Sequence, residues 1–98
     1  MVAAGLACRD APRAPARPPD AGAMVMVYVA PGLADRVMGR LQLVAARRQW
    51  ALSVRTDSGA VADADLRIVD SAGHWVGRIR PGSAVAAQAK QMADAVLP

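Results

Sequence analysis

Arginine is the residue type that gives this chain most of its chemistry. The 98 residues include eleven Arg, one Lys, one His and eight Asp, with no Glu and a single cysteine, Cys8. One cysteine rules out an intrachain disulfide, a zinc cluster and a CxxC redox pair. His74 has no catalytic partner in the sequence, and Asp63 with Asp65 is better interpreted as a solvated turn than as a cation site. We predict that the chain is not an enzyme and that it holds no cofactor or metal.

One group of arginines has a helical spacing. Arg36, Arg40 and Arg47 fall within about 40° of one another on a helix that turns about 100° per residue. They would form a basic stripe along the first predicted helix. This stripe is either a binding surface or the ordinary solvated face of an amphipathic helix.

A second group of basic residues occupies strand positions that alternate with the predicted core. If both helices pack on one face of the sheet, these side chains share the other face as an apolar centre with a basic rim, which is typical of an interface. If the helices lie on opposite faces, the patch is covered. The group consists of Arg55, Arg67, His74, Arg78 and Arg80, joined by Met24, Met26, Tyr28 and Val76.

The charge balance also favours an acidic partner. The formal net charge is +4 and the pI is about 10.6, values that suggest attraction to anionic molecules. The excess lies in the first half of the fold, because residues 24–55 carry five Arg against one Asp. The preference for Arg over Lys, with abundant Ala, is equally what a GC-rich, bacterial-like coding bias produces.

A change in composition at residue 23 divides the chain. Residues 8–23, CRDAPRAPARPPDAGA, contain four prolines and no large apolar side chain, so they cannot bury enough surface to offset their ordering entropy. We predict a disordered arm over residues 1–23 and a single small domain over residues 24–98. Alternatively, the first residues are an upstream extension and the natural start is Met24 or Met26.

The periodicity of apolar residues after the break predicts an α/β (α+β) fold in the order β-α-β-β-β-α. The predicted strands cover residues 25–30, 50–57, 66–70 and 74–80, and the two helices cover 33–48 and 84–97, with Ser83 as the N-cap of the second. The first strand, within MVMVYVA, lacks alternation, as expected for a central strand covered on both faces. The first two strands should be parallel and the last two should form a hairpin, giving a small mixed four-stranded sheet.

This element order resembles the thioredoxin-like minimal fold, in which a βα unit and a second strand are followed by a closing ββα unit. The resemblance covers about 75 residues. That family's active motif is a cysteine-containing turn after the first strand, where this chain reads Ala30-Pro31-Gly32-Leu33. Its cis-proline before the third strand is also missing. The resemblance therefore implies the order of elements and carries no redox role.

Asp70 ends an apolar strand, LRIVD, at a position similar to the phosphoacceptor of response-regulator receiver domains. The acidic pair that those domains have after the first strand is absent here, because Val29-Ala30-Pro31 stands in its place. We interpret Asp70 as the residue that initiates a turn before Ser71-Ala72-Gly73.

Three functions compete on these observations. The first is a cytoplasmic, non-enzymatic interaction or accessory module that binds another protein or a second copy of itself through its sheet. The second is nucleic-acid binding through the arginines, against which stands the small number of aromatics, Tyr28, Trp50 and Trp75, with both Trp assigned to the core. The third is a degenerate thioredoxin-like or small-ligand-binding domain. No stretch approaches the ~20 apolar residues of a membrane span, so no membrane partner is expected.

Overall fold

A computed structural model of the protein describes residues 19–97, and its elements follow the expected order. The mixed α+β fold with a four-stranded sheet and two helices is confirmed. Two short 3-10 helices, Pro31–Leu33 and Ser58–Ala60, add to this order. The strands are β1 (Met24–Val29), β2 (Ala51–Arg55), β3 (Leu66–Ser71) and β4 (His74–Ile79), and the helices are α1 (Ala34–Arg48) and α2 (Ala86–Val96).

Most of the predicted arm, residues 1–18, lies outside the described residues. Its last five residues, 19–23, form a turn beside the start of β1. The Gly22 N–H donates to the carbonyl of Gln49 at 2.7 Å, and the Gln88 side chain donates to the Asp20 carboxylate at 3.0 Å. That amide is the main cause of a pKa of Asp20 below its ordinary value.

The sheet has the strand order β2-β1-β3-β4. β1 runs parallel to both of its neighbours, and β3 and β4 form the predicted antiparallel hairpin. The hairpin turn holds Ala72 and Gly73 at φ values of 52° and 83°, the pair of positive angles that a type I′ turn requires. The Asp70 carboxylate accepts the Gly73 N–H at 3.1 Å, which is the turn role expected of this aspartate.

Both helices pack on the same face of the sheet. They contact each other, while α1 contacts β2 and α2 contacts β3 and β4. Between helices and sheet lies one apolar core, built from alternate strand residues and the inner helix faces; its fully buried members include Val25, Val27, Val29, Val37, Leu41, Leu66, Ile68, Met92 and Val96. Trp50 is buried in this core and Trp75 is half-buried against it. Over residues 19–97, the other face of the sheet therefore carries no α-helix.

The connection from β2 to β3 must cross β1, because β2 and β3 flank it on opposite sides. Parallel connections are right-handed, so two crossovers that run in opposite directions lie on opposite faces. Residues 56–65 therefore pass over the face that the helices leave free. Ala60 and Ala64 in this segment are buried although they are not part of the core under the helices. On this second face of the first strand Met26 and Tyr28 are half-buried and Met24 is exposed, so the crossover covers it only in part.

The start of the last helix differs from the prediction. α2 begins at Ala86, and Val85 stands at its N-cap position without a side-chain cap bond. Ser83 instead accepts the Val85 N–H at 3.2 Å and donates its hydroxyl to Asp65 at 2.7 Å. The hydroxyl bonds to a buried carboxylate, and the helix starts two residues later than predicted. Neither helix is long and apolar enough to cross a bilayer over the described part of the chain.

Candidate interaction surface

The register of the sheet aligns one aromatic and three basic side chains. Tyr28 pairs with Arg55 on one side and with Arg67 on the other, and Arg67 pairs with Arg78. Residues paired across strands point to the same face, so these four side chains form a row across the sheet on the face opposite the helices. With strands about 4.8 Å apart, the row spans about 14 Å.

Arg67 and Arg78 are the unusual members of this row, and we call them the arginine pair. They lie directly opposite each other on neighbouring strands, an arrangement that is destabilising for two like charges. Over residues 19–97 neither has an ion-pair partner. Arg55, by contrast, donates to the Asp57 carboxylate at 2.9 Å. The arginine pair thus presents two uncompensated positive charges on the hairpin that the crossover leaves open.

Apolar side chains flank the arginine pair. Val69 pairs with Val76 one row further along the hairpin, and both are half-buried, as are Met26 and Tyr28 on β1. The structure therefore brings these predicted residues onto one face, but with charge running through the patch instead of around its rim. Val69 is not among the predicted residues of this face, although it follows Arg67 by two positions in the same strand and therefore points to the same side.

Arg80 is half-exposed, and its charge is compensated by a buried carboxylate. Its guanidinium lies 3.0 Å from Asp65 Oδ1, which also accepts the Ser83 hydroxyl. Asp65 Oδ2 accepts the backbone N–H of Met26 at 2.9 Å. Asp65 is only 8% exposed, so its interpretation as part of a solvated turn is wrong. The burial of Asp65 could not be predicted from local sequence, because its partners Ser83 and Arg80 come from the far side of the hairpin.

The Asp65 network sets the protonation state of that carboxyl. Burial by itself would raise the pKa of Asp65, but the hydrogen bonds from Met26, Ser83 and Arg80, with the Arg80 charge, outweigh burial. The pKa therefore lies below its ordinary value. Asp65 is an anion that ties β1, the start of β3 and the segment before α2 together, which is a structural role.

The helix stripe lies on the other side of the molecule. Arg36, Arg40 and Arg47 are exposed along α1, but Arg40 donates to the carbonyl of Val96 at the end of α2, at 3.1 Å. Arg48, further round the helix, stacks over the Trp50 ring at 5.9 Å. The stripe and the arginine pair are on opposite sides of the sheet, so one small ligand cannot contact both.

A groove between the helices is the cavity nearest to the stripe. It has a volume of about 150 Å³, and its lining consists of Val44, Arg47, Arg48, Gln91 and Ala95. It offers arginine side chains but no acid, base or nucleophile. Residues 19–97 contain no group of three side chains that could hold a metal ion.

Comparison with known proteins gives no further guide to the chain's role. No protein-family model, curated sequence or solved structure matches it. Its function is therefore argued from the geometry of the arginine pair and its surroundings.

Proposed function

We propose that this chain is a non-enzymatic interaction module that binds an acidic segment of a partner protein on the open face of its β3–β4 hairpin. The arginine pair carries this proposal. Two like charges held opposite each other cost stability in the free protein, and a carboxylate between them turns that repulsion into two charge-assisted hydrogen bonds. The free protein is therefore better suited to an anionic partner than to isolation.

The apolar neighbours of the arginine pair favour a protein partner. Val69 and Val76 form a half-buried apolar step beside the two charges. A segment that alternates acidic and apolar residues would match both, in the way that interface cores combine apolar contact with a charged surround. This match is to the side-chain chemistry of a peptide and not to that of a phosphate backbone.

The aromatic residues argue against nucleic acid as the preferred partner. Single-stranded nucleic acids are bound by several aromatic side chains that stack on successive bases. Tyr28 is the one aromatic on the open face, because Trp50 is buried under the helices and Trp75 lies on the helix-covered face. Phosphate contacts alone would remain, without a stacking platform beside them.

The test is a binding titration with charge-matched variants. The probe is a fluorescein-labelled peptide of alternating Glu and Leu, followed by anisotropy at low salt. The variant Arg67→Gln/Arg78→Gln loses the arginine pair, and Arg36→Gln/Arg47→Gln loses the same charge from the helix stripe. We expect the first to bind at least about tenfold more weakly than wild type, and the second to bind nearly as well.

Two outcomes would contradict the proposal. If both variants weaken binding equally, the peptide responds to total charge and not to the hairpin. If a labelled oligo(dT) binds more tightly than the peptide and depends on Arg67 and Arg78, the site is a nucleic-acid site. Its affinity should then fall steeply with salt, because each phosphate contact releases counterions.

A further inference from the structure

Over residues 19–97, the β2 edge of the sheet has backbone groups without a hydrogen-bond partner. The Ala51 N–H donates to the carbonyl of Ala23 at 2.7 Å, which turns the backbone groups of Ala51, Ser53 and Arg55 toward β1. Because backbone direction alternates along a strand, the N–H and C=O groups of Leu52 and Val54 point outward. An open edge of this kind is a template for a further strand.

The two edge strands of the sheet, β2 and β4, differ in how strongly their charges oppose pairing with a further strand. β4 carries Arg78, which has no ion-pair partner over residues 19–97, and a charge of this kind discourages a second strand from pairing. β2 reads ALSVR, and its one charge, Arg55, is neutralised by Asp57 at 2.9 Å. A copy of the chain approaching β2 therefore meets no net charge, whereas one approaching β4 meets like charges.

The sequence of β2 suits antiparallel pairing with itself about Ser53. In that register Leu52 lies opposite Val54 of the second copy. The outward N–H and C=O groups of Leu52 and Val54 in the two copies then form four hydrogen bonds between the strands. Arg55 then lies opposite Ala51 of the second copy. The two Arg55 side chains are about 14 Å apart, given a rise of about 3.3 Å per residue, so they do not oppose association.

The side of α1 that faces the β2 edge also permits two copies to associate. Arg40 points at α2, through its bond to Val96, and Arg36 and Arg47 lie within about 40° of it on the helix. Met38 and Gln42 lie about 160° from Arg40, hence on the side of α1 that faces the β2 edge. Two α1 helices brought together across this edge would meet through Met38 and Gln42, with the arginine stripes turned away.

We infer that two copies of this chain associate edge to edge through antiparallel β2 strands, forming a single eight-stranded sheet. The inference does not depend on the ligand proposed for the open face. It does give that ligand site a second copy: the two arginine pairs would lie about 30 Å apart on one continuous face, since each strand adds about 4.8 Å. A partner with two acidic segments could then be held at both.

The test places charges at Ser53, the residue about which the two β2 strands pair, in the full-length chain. Ser53 of one copy faces Ser53 of the other, so Ser53→Lys alone and Ser53→Glu alone each place two like charges together. We expect wild type to have twice the monomer mass of 10.2 kDa by sedimentation equilibrium. Each variant alone should dissociate at least about tenfold more readily, and an equimolar mixture of the two should recover the dimer mass.

The control places the same substitutions at Ser71, which is exposed on the same face at the far end of the hairpin. Ser71→Lys and Ser71→Glu should remain dimeric, and circular dichroism should show that all four variants are folded. A monomeric wild type at the highest soluble concentration would overturn the inference. So would a dimer that survives either Ser53 variant unchanged, or a Ser53 mixture that does not reassociate.

Discussion

Charged residues in this protein are of two kinds, those compensated inside the fold and those left without a counter-charge on the surface. Asp65 is buried, and its two carboxylate oxygens accept from Met26, Arg80 and Ser83, so its charge is fully used inside the fold. The arginine pair is left on the surface without a counter-charge in the part of the chain that the structure describes. Buried charge that is satisfied holds structure, and exposed charge that is unsatisfied is available for a partner.

Asp65 makes the stability of the fold depend on pH in the acidic range. Its pKa in the folded chain lies below the ordinary value of 3.8, so the unfolded chain takes up its proton first as the pH falls. The stabilisation is therefore complete well above that value and is lost as the pH drops through the lower, folded pKa. Wild type should keep a constant free energy of unfolding above about pH 5 and lose stability below about pH 4.

The variant Asp65→Asn should lower the free energy of unfolding by about 2 kcal/mol at neutral pH, since it weakens hydrogen bonds to a buried acceptor. It should also flatten the acid decline, because the titrating group is gone. Urea denaturation at a series of pH values measures both effects, with Asp63→Asn as the exposed control. An acid decline in Asp65→Asn as steep as in wild type would show that other carboxyls control it.

At the scale of elements, the placement of α2 over the hairpin depends on a residue without a side chain. A Cβ at Gly77 would lie 2.9 Å from Leu97 Cδ1 and 3.4 Å from both Ala93 and Leu66. β4 pairs with β3 and lies under α2, so this glycine allows the helix to approach the sheet closely. This contact lies on the helix-covered face of the hairpin, opposite the face that carries the arginine pair.

The variant Gly77→Val should therefore destabilise the protein by about 1–3 kcal/mol through overpacking. Gly32→Val is the control, because nothing lies within 4 Å of a Cβ at Gly32. Thermal unfolding followed by circular dichroism compares the two variants. If Gly77→Val is as stable as wild type, Leu97 moves aside without cost, and the close approach at Gly77 does not stabilise the packing of α2 on β4.

Much of the element pattern could be predicted from the sequence. The apolar periodicities located both helices and all four strands, and the alternation in LRIVD gave Leu66 and Ile68 as inward residues, which the structure confirms. These features are local, since each depends on neighbours within a few positions.

The features that shape the surface could not be predicted in the same way. Sheet order and register bring Arg67 opposite Arg78, and both depend on contacts between distant segments. The burial of Asp65 depends on Arg80 and Ser83, which lie 15 and 18 residues away. The bond between Ser83 and Asp65 also explains why the predicted N-cap at Ser83 was wrong. A capping rule considers only neighbouring residues and cannot include a carboxylate that is distant in sequence.

The whole molecule is asymmetric about its sheet. Both helices and the main core lie on one face. The strand order and right-handed connections put the crossover of residues 56–65 over β1 on the other face, where Arg78 of the β3–β4 hairpin is exposed. The basic residues are divided in the same way, with the stripe of Arg36, Arg40 and Arg47 on the helix side and the arginine pair on the open side. Binding on the open side therefore leaves the helices in place.

Mapping the bound probe on the protein tests this division most directly. Amide chemical shifts of isotope-labelled protein would be followed by NMR while the Glu/Leu peptide is added. We expect the largest changes at Arg67, Val69, Val76 and Arg78, with α1 nearly unaffected. The variant Arg78→Glu should abolish these changes while remaining folded, because it replaces a like-charge pair across the strands by an attractive one. Changes concentrated on α1 around Arg36 and Arg47, or none at any peptide concentration, would contradict binding at the hairpin.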